Sequence, residues 1–121
     1  MTHTTIQTSI AVDNYRLILA TSAGTYYFLP EQIVRMKSSS NYTNIYFTNR
    51  KPLLTAKVLK EFESELVPFG FLRTHKSHLV NKKYIAHVAS DGNIIMNDDS
   101  TAEISRRKKP EVLRLLKRNC N

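Results

Sequence analysis

The sequence predicts a mainly β fold of short, largely antiparallel strands, with one inner helix and one C-terminal helix. Three observations predict it. Short β-prone runs recur between clusters of Gly, Asn, Asp and Ser. Before the C-terminus, the apolar spacing turns helical only over 57–66. The last apolar residues, Val112, Leu115 and Leu116, again stand at helical spacing.

The elements follow in order. Tyr15 to Ala20 and Thr25 to Leu29 are β-prone and separated by Thr-Ser-Ala-Gly, a hairpin with Gly24 in its turn. Pro30-Glu31-Gln32 interrupts. Ile33 to Lys37 and Tyr42 to Phe47 then flank the polar tip Ser38-Ser39-Ser40-Asn41. In the second of these strands, a period of two sets Thr43, Ile45 and Phe47 on one face and Tyr42, Asn44 and Tyr46 on the other. Lys57 to Leu66 is the inner helix, with Leu59, Phe62 and Leu66 at i, i+3 and i+7 and Val58 paired with Phe62; Pro68 and Gly70 end it. A polar stretch, Phe71 to Lys83, separates the helix from the next hairpin. That hairpin is Tyr84 to Ala89 and Asn93 to Asn97, joined through Asp91-Gly92. Asp98-Asp99-Ser100 turns into a strand over Thr101 to Ile104, and a final helix spans Arg106 to Arg118 with Pro110 in its first turn.

At 121 residues the chain fits one domain able to bury a core without metal or disulfide support. The expected organisation is a polar lead-in over 1–14, a folded domain over 15–118 and a tail over 119–121. The single cysteine, Cys120, excludes an internal disulfide, and a reducing cytoplasm fits. No apolar run reaches the length of a membrane span. There is no glycine-rich phosphate loop, Ser-His-Asp pattern or placed nucleophilic cysteine, so neither an enzyme nor a cofactor is expected.

Charge is the strongest compositional feature. Eighteen basic residues against ten acidic give a formal net charge of +8, which favours a polyanionic partner. It is also polarised: seven basic residues fall between 106 and 118 against Glu111 alone. Arg106 can bond bidentately to guanine, and Lys76 can pair with phosphate; a solvated surface run is the plainer reading of such charge. Asn41 and the serines before it offer donors to phosphate, although Ser and Asn are also ordinary turn residues. Lys82 and Lys83 are equally phosphate contacts or solubilising charge. Asn81 is expected to close a turn with its side chain. His75 and His78 have the spacing of metal ligands, but the nearest acidic residues in sequence are Glu65 and Asp91, so no metal site is expected.

The string Phe71-Leu72-Arg73-Thr74-His75-Lys76-Ser77-His78-Leu79-Val80-Asn81 resembles the signature of the LytTR DNA-binding domain of bacterial transcription regulators. Other features resemble that family in the same order: Ile33 to Tyr42, Leu59-Lys60-Glu61-Phe62 with Leu66, and Ile104-Ser105-Arg106-Arg107. The resemblance implies an elongated arrangement of short strands that reads double-stranded DNA with loops. It places DNA contacts at Asn41, Tyr42 and Thr43, at Lys76 beside His75 and Ser77, and at Arg106, with Arg107, Lys108 and Lys109 as a phosphate-directed patch. It also implies direct-repeat sites holding two copies. Family members often carry a receiver domain, and only 14 residues precede Tyr15, so a stand-alone protein with a separate regulatory partner is expected. His78 stands where the family usually has an aromatic residue, Lys37 where it often has an acidic one, and Glu103-Ile104 replaces its common Pro-Val. The competing readings are an RNA-binding β module, with tyrosines for base stacking, and a basic protein-interaction module.

Overall fold

The structure, a computed structural model, describes residues 15–119. The lead-in over 1–14, Cys120 and Asn121 lie outside the described residues. The elements are β1 (Leu17–Thr21), β2 (Gly24–Phe28), β3 (Ile33–Ser39), β4 (Tyr42–Phe47), β5 (Leu53–Thr55), α1 (Leu59–Leu66), β6 (Phe71–His75), β7 (His78–Asn81), β8 (Ile85–Val88), β9 (Ile94–Met96), β10 (Thr101–Ala102) and α2 (Lys109–Asn119). Every strand pairing is antiparallel.

A five-stranded sheet in the order β5-β4-β3-β7-β6 is the centre of the fold. The β1–β2 hairpin and α1 pack on one face, where Leu17, Leu19, Phe28, Leu59, Phe62 and Leu66 meet Ile33, Met36, Ile45, Phe71 and Leu79 of the sheet. The sheet β10-β9-β8 and α2 cover the other face, where Ile94, Met96, Ala102 and Leu116 meet Val34, Leu72 and Val80. Leu79 and Val80 are neighbours in sequence yet serve opposite cores, as the pleat requires. A bulge between Ile33 and Arg35 lets Ile33 and Met36, three positions apart, face one core.

The inner helix buries Leu59, Phe62 and Leu66, the three residues its spacing marks, but begins at Leu59 rather than Lys57. Val58 precedes the first turn and is 43% exposed, so it does not pair with Phe62 in the core. Gly24 is not in the hairpin turn: it pairs with Thr21, and Ser22-Ala23 make the turn. The polar stretch after α1 is itself a hairpin, β6–β7, and β5 adds an edge strand that no alternation announces. The last strand is only Thr101–Ala102, and α2 starts at Lys109, leaving Arg106-Arg107-Lys108 in a turn before the helix. Among the described residues no helix is long and apolar enough to cross a membrane.

Candidate nucleic-acid interface

Three turns meet at one end of the central sheet. The first is the β3–β4 tip, Ser40-Asn41, narrow because the ladder runs on to the Ser39 and Tyr42 pair, with Ser40 at φ 59°. The second is the β6–β7 turn, Lys76-Ser77, whose Ser77 carbonyl accepts a hydrogen bond from Ser38 N at 2.9 Å. The third is the link from β10 to α2, held to β6 because Ser105 N donates to Thr74 O at 2.8 Å and Thr74 Oγ1 donates to Glu103 O at 2.8 Å. Backbone bonds thus fix the spacing of the three turns, as a multi-turn contact surface requires.

Arg73 sets the shape of the middle turn. Its Nε donates to His75 O at 2.9 Å and its Nη2 to Lys76 O at 2.6 Å, while Nη1 reaches Glu63 of α1 at 2.7 Å. One planar guanidinium therefore holds two carbonyls of the turn that presents Lys76, a geometry that a lysine cannot reproduce. The turn is closed from within by Ser77 N, which donates to His75 Nδ1 at 3.0 Å.

Beside it lies an open cleft of about 700 Å³ lined by His75, Lys76, Ser105, Arg107 and Lys108 together with Lys60, Glu63 and Arg73. Glu63 is engaged by Arg73, so the cleft retains a cationic excess suited to an anion. Lys108 N donates to Ser105 O at 3.1 Å and to Ser105 Oγ at 3.2 Å, and Lys108 O accepts from Val112 N at 2.9 Å. The cations expected in the first helical turn therefore largely precede it; only Lys109 is helical. Lys109 lies across Gly92, whose φ is +93° and where an added Cβ would come within 2.6 Å of Lys109 Nζ.

The expected site residues separate into groups. Asn41, Tyr42, Lys76, Arg106 and Arg107 are exposed at the three turns, and His75, Ser77 and Lys108 are half-buried beside them. Thr43 is a correction: it is 0% exposed and its hydroxyl donates to Lys57 O at 2.7 Å, so its side chain serves the packing of β4 against the entry to α1. Lys82 and Lys83 lie beyond the far end of β7, about 16 Å along the strand from Ser77 at about 3.3 Å per residue. There Asn81 closes the expected turn, its Oδ1 accepting from Lys83 N at 3.1 Å, and its Nδ2 also donates to Ile33 O at 3.0 Å.

The fold adds a carboxylate to the histidine pair. His75 and His78 are cross-strand partners, and the fold brings Glu103 to them, with Glu103 Oε1 3.5 Å from His75 Nε2. Acidic residues near in sequence were the wrong ones to consider, because β10 returns to the end of β6. His78 is 5% exposed. Burial is the main cause of a pKa pushed down to about 4, with His75, Arg35 and Lys37 nearby lowering it further and Glu103 opposing. Among the described residues, His78 Nδ1 and Arg35 Nη1 are buried side-chain atoms without a hydrogen-bond partner. Arg73, Glu103 and Lys60 were not marked as site residues by sequence; only Arg73 carried a signal, inside the signature string.

A β scaffold whose cationic turns converge at one end is the architecture of a polyanion-binding module. The chain belongs to the LytTr DNA-binding domain family, whose profile matches residues 23–117. Among solved structures it is similar to the LytTr DNA-binding domain of a protein described as a methyl-accepting/DNA response regulator from Bacillus cereus. That likeness has a TM-score of 0.69 and 20% sequence identity, and covers 84% of this chain and 94% of that one. Among curated protein sequences, none matches the chain.

Proposed function

We propose that this chain binds double-stranded DNA in a sequence-dependent manner in transcription regulation, with its three turns in the grooves and its cationic cleft on phosphates. The observation that carries the reading is the convergence of Asn41, Lys76 and Arg106 on one end of the central sheet, from three turns linked by backbone hydrogen bonds. Arg106 is the base reader, since an exposed guanidinium can bond guanine O6 and N7 together. Lys76, Arg107 and Lys108 take phosphates, and Asn41 takes a phosphate or an adenine edge. Family membership and the net charge of +8 support the same partner. Two copies bind a direct-repeat site, under the control of a separate regulatory protein.

Selecting bound duplexes from a random pool, then titrating the winner at several salt concentrations, tests the reading. A consensus should emerge, and with about six phosphate contacts the slope of log affinity against log salt should be about −5. A flat salt response, or stronger binding to single-stranded RNA than to duplex, overturns it.

A further inference from the structure

We infer that His75, His78 and Glu103 form a three-ligand site for a divalent transition-metal ion, zinc by ligand chemistry. One ring nitrogen of each histidine and a carboxylate oxygen lie within 4.8 Å of one another. Two imidazoles and a carboxylate are a donor set that suits zinc, and three protein ligands leave a fourth position for water or another oxygen donor. The β6–β7 turn brings His75 and His78 together, and the link after β10, distant in sequence, adds Glu103.

Independent support comes from His78. It is 5% exposed, and its Nδ1 has no hydrogen-bond partner. An unpartnered polar atom inside a packed face is costly, and a bound ion at this cluster would provide a use for the ring.

His75 Nε2 and Glu103 Oε1, 3.5 Å apart, already stand near the spacing that bonds of about 2.0 to 2.1 Å set in a tetrahedral site. Glu103 can adjust to an ion. Its side chain is 62% exposed on an irregular link, while its carbonyl is anchored by Thr74 Oγ1. His75 Nε2 already faces Glu103, but His75 Nδ1 accepts from Ser77 N, which leaves the ring proton on Nε2. Metal on Nε2 moves that proton to Nδ1, so the Ser77 N–H must turn away. Metal binding would therefore reshape the turn that presents Lys76. Arg35 and Lys37 beside His78 repel a cation and weaken the site relative to one without such neighbours.

Calorimetric titration of the chelator-treated full chain with zinc chloride, without DNA, tests this independently of the DNA reading. One equivalent should bind the wild type, and cobalt in its place should give the visible absorption of a four-coordinate ion. Glu103→Gln, an exposed change that leaves the fold intact, should weaken zinc by about tenfold or more, and His78→Phe should abolish this site. Imidazole nitrogen resonances of His75 and His78 should both shift with zinc. No binding at millimolar zinc overturns the inference, as does affinity unchanged by Glu103→Gln. Shifts confined to His3 or His87 would place the ion elsewhere and overturn it too.

Discussion

The two ends of the central sheet use similar residues for opposite purposes. At the end carrying the three turns, Asn41 is exposed and Lys76 stands out from a turn clamped by Arg73. At the other end, Asn81 is 3% exposed and ties Lys83 N, Ile33 O and Pro30 O together, while Lys83 lies outside with its ammonium 5.7 Å from the Tyr84 ring centroid. An asparagine and a lysine acquire their roles from the end of the strand that carries them. The converging end also holds a buried polar atom without a partner, His78 Nδ1, whereas Asn81 is satisfied on both sides of its amide.

That contrast is sharpest in its response to acid. His78 has a folded pKa near 4 against an ordinary 6.5, so the unfolded chain takes up its proton first. Its contribution to stability is complete above about pH 6.5 and is lost progressively as pH falls toward 4. The shift corresponds to at most about 3 kcal/mol. Denaturant unfolding of the chelator-treated protein should show stability falling between about pH 7 and pH 4.5, by more than in His78→Phe. Equal pH dependence in the two proteins would remove His78 as the cause.

At the other end the expected effect is on stability alone. Asn81→Ala leaves the Ile33 carbonyl and the Lys83 amide without their side-chain partner, a loss of about 2 kcal/mol in urea unfolding. DNA affinity per folded molecule should stay at the wild-type value. A variant that keeps its stability but loses DNA would reverse the assignment of the two ends.

Much of this architecture was legible in the sequence where side chains alternate or repeat without interruption. Thr43, Ile45 and Phe47 are buried as the period of two requires, and Leu59, Phe62 and Leu66 as the helical period requires. The β6–β7 hairpin was not legible as strands because its residues face two cores and a polar clamp, so neither a clean alternation nor an apolar run marks it. Thr43 was expected at DNA because the family resemblance carries its loop over as a unit; its register on β4 turns its side chain inward to Lys57 O. Glu103 could be joined to the histidines only through the return of β10 to β6, a long-range contact that local spacing does not encode.

Within the converging end, Arg106 and Lys76 should separate base reading from phosphate binding. Arg106→Ala should cost about 1 to 3 kcal/mol on the selected duplex and relax preference at one base position. Lys76→Ala should weaken all duplexes alike and reduce the salt slope by about 1. Competition titrations with single-base variants of the duplex distinguish the two patterns. Identical loss on every sequence for both variants would make Arg106 a phosphate contact.

The smallest effect is expected from Lys82 and Lys83, and it bears most directly on whether only one end meets DNA. They project from the turn after β7, beside a groove formed by Leu29, Pro30 and Phe69 rather than the cleft of Lys76 and Arg107. A duplex seated on the three turns meets them only if it also runs the length of the sheet. The double substitution Lys82→Ala and Lys83→Ala should therefore change affinity by less than about twofold at moderate salt, since long-range attraction is screened beyond about 10 Å. The salt slope should remain at its wild-type value. If both lysines instead neutralise phosphates, the slope falls by about 2, and the binding surface extends along the sheet rather than ending at the turns.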